Sequence, residues 1–227
     1  MKLGDIIWFF VLAIIVAFIL GSEKIAFLSD HGLTFRALTA NYPYIMGFFK
    51  VAILATMGEL LAIRIATSDW KKPNGMLMKS FVWGLLGLGF VIAFPLFAGG
   101  VKALMTAHLM PDFGNNIFMT ALLTSAFMNL VFGPTFMCGH RITDTYIDLA
   151  GGKISNLSKV SLAQVTGTID WNGLIGFVLV KTIPIFWIPA HTITFCIPPE
   201  YRVVMAAMLS ICLGVILSYA KRKQATK

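Results

Sequence analysis

Residues 171–195 read WNGLIGFVLVKTIPIFWIPAHTITF, an apolar stretch with Lys181 near its middle and Pro184 and Pro189 just behind. A bilayer's hydrocarbon core asks for about 20 apolar residues of helix, and this stretch supplies them. A charge at that depth is costly and is tolerated where it is paired or faces water. A proline there frees backbone carbonyls that need neighbours or water. The stretch therefore reads as a membrane span broken at Pro184 and Pro189. Broken spans that carry polar groups are where transport routes are often built.

The rest of the chain agrees. Of 227 residues, 58% are hydrophobic and 12% charged, against about 25% charged in a soluble domain. The apolar runs are long and lack the alternation of an outer-membrane barrel. The expectation is an all-α, polytopic membrane protein, one integral domain with six spans near 6–21, 43–63, 81–104, 117–138, 171–195 and 203–219. Lys2 before the short first span has the look of a signal peptide, but the following LGSEKIA offers no small-x-small cleavage site, so the span is expected to stay. Residues 23–41 are semi-polar and read as interfacial. The polar loop 140–170 contains Gly151-Gly152 and is expected to hold a short surface helix near Thr143–Leu149.

The net charge of +8 does not imply nucleic acid, because the cations gather at span ends. With six spans, one side of the bilayer holds Lys2, Arg64, Lys71, Lys72, Lys79, Arg141, Lys153, Lys159, Lys221, Arg222, Lys223 and Lys227. The other holds Lys24, Arg36 and Arg202. Twelve against three puts both termini in the cytoplasm. Lys50 and Lys102 lie within about two turns of span ends, where a lysine snorkels to the headgroups.

Small residues let membrane helices approach closely. Ala13, Ala17 and Gly21 form such a stripe in the first span, and Ala206, Ser210, Gly214 and Ser218 in the sixth. These are seams within the bundle or between copies. In the second span Ala52, Ala55, Thr56, Glu59 and Ala62 share a face, so Glu59 should point at protein. Glu59 and Lys181 have two readings that do not exclude each other. They line a polar pathway, or they lock the bundle as a buried ion pair, Glu59 with Lys181 or Lys102. His191 and Thr194 in the fifth span are pore-lining groups or hydrogen-bonded packing residues.

No other chemistry stands out. The three cysteines, Cys138, Cys196 and Cys212, have no metal-ligand spacing, and the four histidines form no HxxxH pair. There is no GxSxG and no phosphate-binding loop. Asp144 and Asp148, four apart beside Arg141, are explained by a local Arg141–Asp144 bridge. An enzyme is not expected, and no metal or cofactor.

The run WIPAHTITFCIPPEYR supplies Trp187, Pro189, His191, Thr194-Phe195, Pro198-Pro199 and Arg202. It resembles the closing element of the Mpv-seventeen / peroxisomal-membrane-protein family: Trp and Pro, an amide, Asn-Phe, Pro and Arg. Gly133, Pro134 and Asp144 in GPTFMCGHRITD are similar to that family's Gly-Pro element closing on an Asp. Tyr42-Pro43 and Gly58-Glu59 resemble its Tyr-Pro opening and Gly-Asp element. His191, Thr194 and Glu59 replace the family's amide, Asn and Asp, and six spans exceed its usual four. The resemblance implies a multi-pass membrane protein with channel-like, weakly selective solute passage.

The expectation is thus a channel or small-solute transporter of the inner (plasma) membrane, its partners the lipid bilayer and an unidentified small solute. Its route would run between the second and fifth helices past Glu59, Lys181, His191 and Thr194. A homo-oligomer would supply a ring of one charge if the filter needs one. The alternatives are a non-transporting scaffold or assembly factor that uses the small-residue seams, and a membrane-embedded lipid enzyme.

Overall fold

The computed structural model describes residues 2–225, apart from the side chains at 217 and 220–225. Lys227, counted above, lies outside them, as do the side chains of Lys221, Arg222 and Lys223. Among the described residues there is helix and no strand. Six helices are long and apolar enough to cross a membrane: Leu3–Lys24, Pro43–Thr67, Met76–Thr106, Ile117–Leu149, Gly173–Cys196 and Pro199–Ile216. In chain order the elements are α1 (Leu3–Gly21), the short α2 (Ala26–Asp30) and α3 (Phe35–Asn41), α4 (Pro43–Thr67), α5 (Met76–Thr106) and α6 (Ile117–Leu149). After them come α7 (Leu162–Thr168), a π-helical segment (Gly173–Trp187), α8 (Ile188–Cys196) and α9 (Pro199–Ala225).

Two boundaries differ from expectation for local reasons. The third span starts at Met76 rather than near 81, because Gly75 in the left-handed region (φ 64°) ends the preceding turn. The fourth continues to Leu149, so Thr143–Leu149 is the end of α6 and no separate surface helix. Its run is opened by Asn116, whose side chain accepts from the Met119 N–H at 3.1 Å, and carries Pro134 without a stop.

The fifth span is not broken. Pro184 lies inside the π-helical segment and Pro189 in the first turn of α8, and the chain stays helical through both. The Ile188 N–H reaches back five residues to the Ile183 carbonyl. Such wide winding is rare beyond a single turn. It takes the place of the opening that the prolines had suggested.

Five spans close a ring. α4 packs on α9 and α5, α5 on α6, α6 on the π segment and α8, and α8 back on α9. The α4 seam is glycine-built. A Cβ on Gly87 would collide with the Gly47 carbonyl oxygen, and one on Gly58 would press on the Ile211 backbone of α9. Around Gly58, Ala55, Ala206 and Ala207 are buried, so the stripes read in the second and sixth spans do meet. The first span's stripe does not join them. α1 stands outside the ring, with Ala13 and Ala17 exposed and Trp8 and Ile19 turned inward. The Trp8 indole N–H donates to the Met57 carbonyl at 2.9 Å, and Asp5 accepts from Arg64 at 2.8 and 3.1 Å.

Gly87→Ala should lower stability by about 1–3 kcal/mol, because its obstacle is backbone rather than a side chain that can swing away. Gly99 in the same helix has open space around its missing Cβ, so Gly99→Ala should be neutral or raise stability by up to about 1 kcal/mol. Thermal unfolding of the two purified variants in detergent reads the difference.

Candidate functional site

The charged centre of the ring is Lys79, which the sequence reading had left among the loop cations. Its side chain is only 6% exposed and meets three carboxylates: Asp148 at 2.9 Å, Asp144 at 3.4 Å and Glu59 at 3.6 Å. Each comes from a different place along the chain: Glu59 from α4, Lys79 from the first turn of α5, and the two aspartates from successive turns at the end of α6. What brings α5 and α6 together there is a backbone contact. Gly75 and Gly152, with φ of 64° and 71°, touch main chain to main chain, and any side chain on Gly152 would part them.

Two expectations are corrected here. Glu59 pairs with Lys79, and neither with Lys181 nor Lys102. Asp144 and Asp148 turn to Lys79 rather than to Arg141, which is exposed. Lys181 lies on the outside of the π segment and is exposed, so it meets neither Glu59 nor the ring interior. Lys102 is exposed as expected, but Lys50 does not snorkel. It is buried (8% exposed), donates to Thr39 Oγ1 at 2.6 Å, and sits 4.2 Å over the Phe35 ring. Phe35 is itself fixed by its N–H donating to the buried Ser22 hydroxyl at 2.9 Å. At the other end of the molecule Lys2 lies 2.7 Å from Asp69 and holds its carboxyl below its ordinary value, helped by the Trp70 N–H.

The second feature is a cleft inside the ring, about 160 Å³ in volume, walled by α5, α6, the π segment, α8 and α9. Its wall is largely aromatic. Phe90 stacks on Phe136 at 4.8 Å and Trp187 on His191 at 5.4 Å with planes 17° apart, while Trp83 meets His140 at 4.1 Å with the rings tilted by 38°. Trp187 and His191 are one helical turn apart, hence on one face. Both carry a buried polar atom with no partner, Trp187 Nε1 and His191 Nδ1. Nearby, Asn129 spends its Nδ2 on Ser125, donating to the carbonyl at 2.8 Å and the hydroxyl at 3.2 Å.

Of the four pathway candidates, only His191 lines this cleft. Thr194 is wholly buried, with its hydroxyl donating to the Ala190 carbonyl at 3.1 Å. Glu59 belongs to the Lys79 cluster and Lys181 to the outer surface. The second and fifth spans are not neighbours in the ring: α9 stands between them on one side, α5 and α6 on the other. The structure therefore forms no route between those two spans.

The family-like residues have local structural roles. Arg202 donates to the carbonyls of Phe195 (3.1 Å) and Ile197 (3.2 Å), which ties off the end of α8 where Pro198 and Pro199 turn the chain into α9. Gly133 is buried against Ile183 in the cleft wall. Pro43 starts α4 after Tyr42, Gly58 seats α9, and Asp144 holds Lys79.

Removing Lys79 would leave three carboxylates facing one another. Lys79→Met should cost about 2–3 kcal/mol, less than the ~3–5 of a fully buried pair because Asp148 keeps half its surface in solvent. Lys181→Met should change stability by less than about 0.5 kcal/mol. Unfolding midpoints in detergent test both, and an equal loss in the two variants would contradict the assignment.

No family model, no curated protein and no solved structure matches this chain.

Proposed function

We propose that this is a multi-pass protein of the inner (plasma) membrane, with both termini cytoplasmic, that passes a small solute between its helices as a channel or transporter. The observation that carries the reading is the cleft inside the ring. It is walled by four of the six spans, and two of the residues that line it, Trp187 and His191, carry a buried polar atom that the protein leaves unsatisfied. A buried donor without a partner costs about 1–3 kcal/mol, which is sustained where something else supplies the partner. The charge count supports the orientation, and the resemblance to the Mpv-seventeen family supports passage of weak selectivity. On this orientation the Lys79 cluster lies at the cytoplasmic end of the ring, beside the cleft's His140 rim. It offers one ammonium to three carboxylates and gives that mouth a negative field. A homo-oligomer remains compatible with passage along each ring.

The test is current across a planar bilayer holding the purified chain, with an empty bilayer and a plugged variant, Met137→Trp, beside it. Met137 lines the cleft. Step-like conductance that falls at least about tenfold in the plugged variant is expected. A silent bilayer containing folded protein would sink the channel and send the question to solute uptake by proteoliposomes.

A second reading has its own support. In a non-transporting scaffold Glu59 would serve only to lock the bundle, and its place 3.6 Å from Lys79 suits that role. Glu59→Gln then lowers the unfolding midpoint, and neither form carries flux.

A further inference from the structure

We propose that the cleft at Trp187 and His191 is a binding site for a neutral, ring-sized molecule bearing an oxygen acceptor, a ketone or phenol rather than an ion. The inference rests on the reading of the cleft as the place where solute is handled, and it names the class of that solute.

Four observations carry it. The first is size. An apolar cavity of about 150 Å³ in a protein core holds one benzene, and this cleft measures about 160 Å³. The second is the wall: Phe90, Phe132, Phe136 and Trp187 line it, and offset or edge contacts between rings add to simple burial.

The third is the pair of orphan atoms. The Trp187 indole nitrogen is a donor and never an acceptor, so what satisfies it must offer a lone pair. His191 is only 4% exposed, and its Nδ1 stands unpaired beside that indole. Trp187 and His191 lie stacked, and both line the cleft. One oxygen there meets a need that the protein's own groups leave open.

The fourth is charge. The Lys79 cluster has its own partners, and Lys181 faces outward. The charged residue on the cleft wall is Arg141, which is exposed at the His140 rim. Ser125 of α6 donates to the carbonyl of Ile188, next to Trp187, and the sixteen residues from Ser125 to Arg141 span roughly 24 Å of helix. An ion held beside Trp187 would therefore lack a counter-charge, and burying one unpaired is prohibitive. A neutral molecule carries no such penalty.

The experiment is a calorimetric titration of the full chain in detergent with two probes, micelle blanks being subtracted. Acetophenone has the ring and a carbonyl; ethylbenzene has the ring alone. Saturable one-to-one binding of both is expected, with acetophenone about three- to tenfold tighter, the worth of one neutral hydrogen bond. Trp187→Phe keeps a ring and loses the N–H. It should bring acetophenone down to the affinity of ethylbenzene while leaving ethylbenzene unchanged. Met137→Trp, which fills the cleft, should abolish both.

Absence of saturable binding would mean that water or lipid fills the cleft and would overturn the proposal. So would an acetophenone preference that survives in Trp187→Phe, or binding that survives in Met137→Trp. Each variant is accepted only with a wild-type unfolding midpoint. If Trp187→Phe fails that check, Trp187→Met, which also lacks the N–H, replaces it with the same expectation. Binding without conductance would sink the channel and leave this site standing, and conductance without binding would do the reverse.

Discussion

A buried ammonium has to be answered, and Lys79 is answered three times. Its side chain is nearly sealed from solvent, while Asp148, Asp144 and Glu59 lie within 2.9–3.6 Å. The partners are drawn from α4 and α6, so one charge fixes the relative depth of three spans. In a bilayer this matters more than in water, because helices gain no hydrophobic advantage from touching each other rather than lipid. Packing at Gly47 and Gly87 lets α4 and α5 approach, but glycine contacts tolerate sliding along the axis. The ion cluster does not. The Gly75–Gly152 contact then sets the end of α6 beside the start of α5, and the ring is held at one end.

The opposite end is fixed by different means. There Lys50 lies over Phe35 and donates to Thr39, Phe35 stacks on Tyr201 of α9 at 5.4 Å, and Arg36 reaches Glu200 at 3.5 Å. These contacts join the short helix α3 to α4 and α9. The lysine stem and the aromatic faces supply apolar surface, and the heads find oxygen. Between the two ends the ring holds together by small residues and aromatic stacks. Its inside keeps a void that the side chains do not fill.

Much of this was legible in the sequence, and what was missed shares a cause. The six spans follow from apolar length alone. The faces of α4 and α9 follow from helical periodicity, and Glu59 turned inward as its small-residue stripe implied. The identity of its partner did not follow, because which span lies beside which is a property of long-range packing. Lys79 was hidden by a boundary. Placed two residues outside the third span, it reads as a loop cation; placed in the first turn of α5, it reads as a buried one. Asp144 and Asp148 were hidden the same way, since α6 runs eleven residues past the apolar stretch that announced it. Their four-residue spacing was the available signal, and it pointed at a common face without saying what the face met. Lys181 misled for the opposite reason. A lysine amid apolar residues suggests an interior partner, but Lys181 stands on the exposed side of the π segment. No local pattern distinguishes fifteen residues of that winding from α-helix.

That winding ends at the cleft wall. A π turn takes in more residues than an α turn, so the face a side chain presents depends on where the chain changes from one to the other. The change falls at Trp187 and Ile188. From there α geometry resumes, and His191 lands one turn above Trp187 on the same side, stacked on it. Had the whole span been α-helical, Lys181 and Trp187 would lie six residues and 600° apart, with their side chains projecting about 120° from each other. A π turn of about 4.4 residues instead makes six residues roughly 490°. The two residues still diverge, and by a similar angle of about 130°, so the divergence alone does not decide the burial. The span is held at two further points: Arg202 bonds the Phe195 and Ile197 carbonyls at its far end, and Ser125 of α6 donates to the Ile188 carbonyl at 2.7 Å. With α8 so held, His191 and Trp187 face the ring, and Lys181 is left outside.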